Sequence, residues 1–141
     1  MTRTAVCALA AAGALATAVA PATAAPAPRT ESLYAPSALV LTVARGETAA
    51  AATPLRAVTL VCSPGAGGSH PDPKAACAEL KAVDGEFRAL GDQNNGRPCV
   101  KIYDPVVVTA QGVWDGRRVQ FERTFSNSCV MQAEGTSVYS F

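Results

Sequence analysis

Five cysteines in a chain of 141 residues limit its folds more than any other sequence feature. The first, Cys7, lies in an N-terminal apolar segment, and the other four are spread over the rest of the chain. They are Cys62, Cys77, Cys99 and Cys129. Four cysteines allow three disulfide pairings, and their order along the chain favours pairs of neighbours without excluding the others. An even number is typical of a small secreted domain with two disulfides.

A zinc site is the main alternative use of four cysteines. Such sites need closely spaced ligand pairs of the Cys-x-x-Cys type, often completed by histidines. The sequence has no such pair, and His70 is its only histidine. We therefore expect no metal ion and no other cofactor.

The first 24 residues have the three parts of a secretory signal peptide. Arg3 supplies a positive charge, residues 5–20 form an uncharged apolar run, and Ala22-Thr23-Ala24 has the small residues that signal peptidase recognises. The apolar run is about 16 residues long, whereas a membrane-spanning helix needs roughly 20. We predict cleavage after Ala24.

The remaining sequence predicts a flexible arm followed by one extracellular domain. Alternating proline and alanine in residues 25–32 bury little surface, so this segment is expected to be disordered. Without Arg3, the 12 basic and 11 acidic residues of the chain become 11 of each. This balance gives no indication of binding to nucleic acid or to an anionic membrane. The domain is expected to span residues 33–141.

Hydrophobic patterning predicts about five strands and one or two helices. The strands are predicted at residues 39–43, 58–62, 106–109, 118–125 and 136–141. Asp115-Gly116 is typical of a tight hairpin turn. No helical pattern separates the last three strands, which favours antiparallel pairing and an α+β fold.

A helix is predicted to begin at Asp72-Pro73. Aspartate is a good N-cap, and proline suits the first helical position. Apolar residues then recur on one helical face, although Gly85 weakens its middle. They are Ala76, Leu80, Val83, Phe87 and Leu90. The preceding glycine- and proline-rich residues 64–73 are expected to form a loop with His70 exposed and without a role.

The sequence does not bring catalytic groups together. His70 directly follows Ser69, and adjacent residues do not readily form a nucleophile–base pair. The carboxylates are scattered, and no glycine-rich phosphate-binding loop follows a strand. We therefore predict that the chain is not an enzyme.

Residues 99–105 differ from the other connecting segments. Cys99 can be fixed by a disulfide, and Pro105 restricts both its own backbone and that of Asp104. The β-branched residues between them favour an extended conformation. An extended segment held at both ends is similar to a peptide substrate, which proteases bind as an added strand. Lys101 is expected to project from its middle.

The chain resembles the Streptomyces subtilisin inhibitor family from Leu33 to Phe141. The similar segments keep one order along the chain: residues 33–43, 56–62, 103–105, 112–114 and 125–129, followed by the aromatic C-terminus. The resemblance implies a five-stranded antiparallel sheet with two helices, and a homodimer. It also implies the disulfides Cys62–Cys77 and Cys99–Cys129.

The same resemblance places the reactive bond between Lys101 and Ile102. The neighbouring residues that contact the protease are then Cys99, Val100, Tyr103 and Asp104. Many members of the family have proline where this chain has Val100, so its affinity is expected to differ. Lysine before the reactive bond implies trypsin-like as well as subtilisin-like targets. We predict a substrate-like, standard-mechanism inhibitor of both protease classes.

Two alternatives remain at this stage. The first is a secreted binding module without a protease target, for which Lys101 would not matter. The second is a protein that is itself the substrate of a transglutaminase, through Gln93, or of a processing protease.

Overall fold

The computed structural model describes residues 35–93, 98–135 and 137–141. Within them, five strands form one antiparallel sheet, accompanied by two α-helices and a 3₁₀ helix. The predicted α+β class is confirmed. The strands are β1 (Ser37–Arg45), β2 (Thr53–Ser63), β3 (Gly67–Gly68), β4 (Val106–Trp114) and β5 (Arg117–Phe125). The α-helices are α1 (Pro73–Ala82) and α2 (Ser128–Gly135), and the 3₁₀ helix spans Phe87–Gln93.

The predicted signal peptide, residues 1–24, and the predicted arm, residues 25–32, lie outside the described residues and stay predictions. No helix within the described ranges is long and apolar enough to cross a membrane.

The hydrophobic core lies on one face of the sheet. The strand order is β3-β2-β1-β4-β5, so β1 is central and pairs with both β2 and β4. Because side chains alternate along a strand, every second residue faces the core. The helices and the C-terminal residues pack against this same face. The core includes Leu39, Leu41, Leu60 and Val108 from the sheet, Leu80 from α1, Met131 from α2, and Val138 and Tyr139.

The predicted strand at residues 136–141 is wrong. Residues 137–139 form a turn, whereas Thr136 lies outside the described residues. The carboxylate of Glu79 on α1 accepts hydrogen bonds from the amides of Ser137 and Val138, both at 3.1 Å. A side chain therefore satisfies backbone groups that a neighbouring strand would otherwise pair.

The fifth strand is instead β3, inside the segment predicted to be a loop. Its two glycines pair with Leu60 and Val61 of β2. A Cβ on Gly68 would lie 2.3 Å from the carbonyl oxygen of Thr59, so only glycine allows this close approach. Residues 53–57 of β2 are exposed, and the pairing of β1 with β2 shifts register opposite them, between Val43 and Ala44.

The predicted helix start is confirmed, but the helix is shorter than its apolar pattern suggests. The side chain of Asp72 accepts a hydrogen bond from the amide of Ala75 at 3.1 Å. The helix ends at Ala82, because Asp84 and Gly85 adopt positive φ angles of 52° and 74°. Phe87 and Leu90 continue the apolar pattern from the 3₁₀ helix, and both are buried in the core.

The expected exposure of His70 is also wrong, since its side chain is buried. Its Nδ1 accepts a hydrogen bond from the amide of Asp72 at 3.1 Å, and its Nε2 lies 3.3 Å from the carbonyl oxygen of Val138. Nε2 therefore carries the proton and donates to Val138. The C-terminal residues cover the imidazole, with the Phe141 ring edge-on at 5.7 Å. Burial by a distant part of the chain is not readable from a local glycine- and proline-rich pattern.

A disulfide joins Cys62 at the end of β2 to Cys77 on α1, with their Cα atoms 5.4 Å apart. This is the neighbour pairing that the chain order favours. The closed loop has a sequence separation of 15 residues. In the chain-entropy description such a loop stabilises the folded state by about 3 kcal/mol.

Gly85 provides a test of how the turn after α1 packs. A Cβ at this position would lie 2.4 Å from the buried ring of Trp114. We predict that Gly85→Ala lowers the free energy of unfolding by about 2–4 kcal/mol, through backbone strain and steric overlap. Urea unfolding with intact disulfides measures the change. Gly65→Ala is the matched control, because no atom lies within 4 Å of its added Cβ. Equal losses at the two positions would contradict this packing.

Candidate functional site

Residues 98–105, which we call the exposed loop, lead into β4 without regular secondary structure. Lys101 is exposed, and so are three large apolar side chains around it. Val100 is 64% exposed, and Ile102 and Tyr103 are each 65% exposed. Exposed apolar side chains grouped in this way are typical of surfaces that contact other molecules, so this loop is the candidate site.

The N-terminal side of the exposed loop is covalently fixed. A disulfide joins Cys99 to Cys129 in the first turn of α2, with their Cα atoms 5.7 Å apart. This is the pairing that the resemblance implies. Because α2 packs on the core through Met131, the loop is attached to a well-buried element.

Asn127 holds the exposed loop on both sides of Lys101. Its side-chain Nδ2 donates to the carbonyl oxygens of Val100, at 3.0 Å, and of Ile102, at 2.9 Å. Its Oδ1 caps α2 by accepting from the amide of Val130 at 3.0 Å. The side chain is only 6% exposed. Its Nδ2 and Oδ1 atoms are therefore satisfied by these protein partners in place of water.

Asn127 is not among the site residues predicted from the sequence. It lies within residues 125–129, one of the segments that resemble the inhibitor family. An asparagine immediately before a helix is a recognisable N-cap, and this is the one local signal it carries. Its contacts with Val100 and Ile102 bridge 27 and 25 positions along the chain, so they depend on the tertiary fold.

The C-terminal side of the exposed loop is fixed by backbone hydrogen bonds. The amide of Asp104 donates to the carbonyl oxygen of Ser126, and the amide of Gly46 donates to that of Pro105, both at 2.9 Å. The loop is therefore attached to the α2 region and to the end of β1. All six residues predicted for the site lie in this one segment: Cys99, Val100, Lys101, Ile102, Tyr103 and Asp104.

The exposed loop combines the cationic side chain of Lys101 with exposed apolar side chains, a combination suited to binding another molecule. Within the described ranges, no group of three or more metal-binding side chains is close enough to hold an ion. Trp114 is buried in the core.

A family model described as subtilisin inhibitor-like matches residues 35–127. The chain belongs to this subtilisin inhibitor-like family. The matched range includes the whole exposed loop and Asn127, which it reaches at its last residue.

Individual subtilisin inhibitor-like proteins are similar over most of the chain. Subtilisin inhibitor-like protein 5 of Streptomyces fradiae is 68% identical over 109 residues, which cover 77% of this chain and all of that protein. Trypsin inhibitor STI2 of Streptomyces longisporus is 57% identical over 141 residues, covering 100% of this chain and 92% of the relative.

The chain is also similar in sequence and fold to a protein of known structure. It is Streptomyces caespitosus sermetstatin in complex with Bacillus licheniformis subtilisin. The similarity has a TM-score of 0.68 and 48% sequence identity, and it covers 75% of this chain and 99% of the solved chain.

Asn127→Asp tests whether this side chain fixes the exposed loop. The substitution keeps the oxygen that caps α2 but removes both amide hydrogens. The carbonyl oxygens of Val100 and Ile102 then lose their donor, so we predict greater mobility of the loop. Exchange of the neighbouring Asp104 amide, followed by NMR, should accelerate by about tenfold.

The control is Asn127→Ala, which removes the cap as well and should also lower the thermal midpoint. Exchange at Asp104 that stays at the wild-type rate in Asn127→Asp would show that the loop is held without the amide.

Proposed function

We propose that the chain is a secreted, substrate-like inhibitor of subtilisin-like and trypsin-like serine proteases, with Lys101–Ile102 as the reactive bond. The observation that carries the proposal is the exposed loop, which presents Lys101 between two carbonyl groups fixed by Asn127. The names of the relatives support the target classes, since one is a trypsin inhibitor and the solved relative is bound to subtilisin. Secretion rests on the predicted signal peptide in residues 1–24.

The fixed loop explains how a short segment can bind tightly. Proteases bind a substrate segment as an added strand, through main-chain hydrogen bonds and pockets for side chains. A flexible peptide loses conformational entropy when it adopts this form, whereas a loop already fixed in it does not. The disulfide at Cys99 and the amide of Asn127 remove this freedom in advance.

Lys101 suits two kinds of specificity pocket. In a trypsin-like enzyme its ammonium group reaches the carboxylate at the base of the pocket, and such a desolvated pair is a typical hot spot. In a subtilisin-like enzyme its methylene groups contact the apolar wall while the ammonium group stays in water.

The same contacts explain why cleavage need not end the inhibition. After hydrolysis of the Lys101–Ile102 bond, the Lys101 end stays attached through Cys99–Cys129. The Ile102 end stays attached through the hydrogen bonds of Asn127 with Ile102 and of Asp104 with Ser126. The new amine is therefore held beside the acyl group at a high effective concentration. Resynthesis of the bond then competes with its hydrolysis, as the standard mechanism requires.

Lys101→Glu tests the reactive bond. A carboxylate facing the carboxylate of a trypsin-like pocket is repelled, so we predict at least about 10³-fold weaker inhibition of trypsin. The thermal midpoint should be nearly unchanged, because Lys101 is exposed. Titration of trypsin and of subtilisin with the oxidised protein measures both effects. Lys74→Glu, at another exposed lysine, is the matched control.

Two results would contradict the proposal in different ways. Unaltered trypsin inhibition by Lys101→Glu would refute the assignment of the reactive bond. Failure of the wild-type protein to inhibit either enzyme would instead favour a binding module without a protease target.

We also propose that the protein is a homodimer, as the resemblance implies. The outer face of the sheet lies opposite the core. Val40 lies on this face, and its side chain is 47% exposed. Val40 is paired with Thr59 on β2 and Gln111 on β4, so the middle of this face is uncharged. An uncharged and partly apolar face suits a second copy of the chain.

Val40→Lys tests the dimer. A lysine on each copy would bring unpaired charges into the interface. We therefore predict that the dissociation constant of the dimer rises by about 100-fold or more. Sedimentation equilibrium measures the association. Leu55→Lys is the control, because Leu55 is similarly exposed, at 55%, but lies near the start of β2. A wild-type protein that sediments as a monomer would refute the dimer.

A further inference from the structure

Three consecutive residues, the last residue of β1 and the two that follow it, contact the part of the exposed loop after the Lys101–Ile102 bond. We call residues 45–47 the β1-end segment. The guanidinium of Arg45 lies 3.7 Å from the carboxylate of Asp104. Tyr103 donates its phenol hydrogen to the carboxylate of Glu47, with an oxygen–oxygen distance of 2.5 Å. The backbone bond between residues 46 and 105 lies in the same region.

Glu47 is itself held in place by the sheet. Its carbonyl oxygen accepts a hydrogen bond from the hydroxyl of Thr124 on β5 at 2.5 Å. Two residues later, the amide of Ala49 donates to the carboxylate of Glu122, also on β5, at 2.9 Å. The Glu47 carboxylate is therefore presented from a backbone that is attached to a second strand, although its side chain is exposed.

The contact between Glu47 and Tyr103 also changes the chemistry of the phenol. The pKa of Tyr103 is raised above its ordinary value. The largest cause is the hydrogen bond to the Glu47 carboxylate, and desolvation and the negative charge of Glu47 contribute less. The phenol hydrogen is needed for the contact, so the protonated form of Tyr103 and the bonded loop favour each other.

These contacts contribute little to overall stability, because exposed ion pairs and hydrogen bonds are screened by water. Their effect is expected where the chain has been cut. Once the Lys101–Ile102 bond is hydrolysed, residues 102–105 are the segment whose position decides where the new amine lies. Restricting that segment raises the effective concentration of the amine at the acyl group.

We propose that Glu47, assisted by Arg45, is a positioning residue that holds residues 102–105 after cleavage and so favours resynthesis of the Lys101–Ile102 bond. The proposal rests on the proposed inhibitor function. In resynthesis the Ile102 amine attacks the ester that joins Lys101 to the protease serine. The new C–N bond forms as the ester C–O bond breaks. The amine proton passes through the protease histidine to the serine oxygen.

The test uses Glu47→Gln, Tyr103→Phe and the double variant in the full disulfide-bonded protein. Each is incubated with a catalytic amount of trypsin, and separately of subtilisin, until the ratio of cleaved to intact inhibitor is constant. We expect each single substitution to raise this ratio by about three- to tenfold. The double variant should match the larger single effect, because both changes remove the same contact. Glu86→Gln, at an exposed carboxylate distant in sequence, should leave the ratio unchanged.

Thermal unfolding separates positioning from folding, since a midpoint within about 2 °C of wild type excludes general destabilisation. Absorbance titration, taken as the difference between each protein and its Tyr103→Phe counterpart, follows Tyr103 alone and gives a readout independent of inhibition. In Glu47→Gln its pKa should fall towards its ordinary value of about 10. A wild-type cleavage ratio in Glu47→Gln, or single effects that multiply in the double variant, would overturn the proposal. If the wild-type protein inhibits neither enzyme, the proposed function fails, and an unshifted Tyr103 titration would then refute the contact itself.

Discussion

The buried side-chain amide of Asn127 is shared between the first turn of α2 and the two carbonyl groups that flank Lys101. A buried amide that loses its partners carries the full cost of its lost hydration, about 1–3 kcal/mol for each unsatisfied group. The exposed loop therefore cannot leave its position without a penalty inside the protein. A surface segment acquires in this way the rigidity of the core beneath it.

The central strand, β1, makes contacts with connecting segments at both of its ends. At its start, the Ser37 hydroxyl exchanges hydrogen bonds with Asp115 in the turn between β4 and β5, at 3.0 Å to the carboxylate and 2.9 Å from the amide. At its end, the β1-end segment contacts the exposed loop. The two disulfides each attach an α-helix, one to the end of β2 and the other to this loop. The exposed loop is thus attached to α2 by a disulfide and to the β1-end segment by hydrogen bonds and an ion pair.

Sequence reasoning succeeded where a signal was local. The N-cap at Asp72, the turn at Asp115-Gly116 and most strands were predicted from nearby residues. It failed where distant segments decide the outcome: His70 is buried by the C-terminal residues, and the carboxylate of Glu79 replaces a strand partner for residues 137 and 138. For the same reason the sequence predicted the loop itself but not its contacts with Asn127 and Glu47, which form only after the chain has folded.

The open edge of β2 bears on whether molecules of the protein can add strands to one another. Because β3 has only two residues, residues 53–57 have no neighbouring strand on that side within the part of the chain that the structure describes. An open edge of this kind invites another chain to add a strand. Here the edge contains Pro54, which has no amide hydrogen, and the register shift beside it interrupts the regular spacing of donors and acceptors. Uncontrolled polymerisation by strand addition is thereby discouraged.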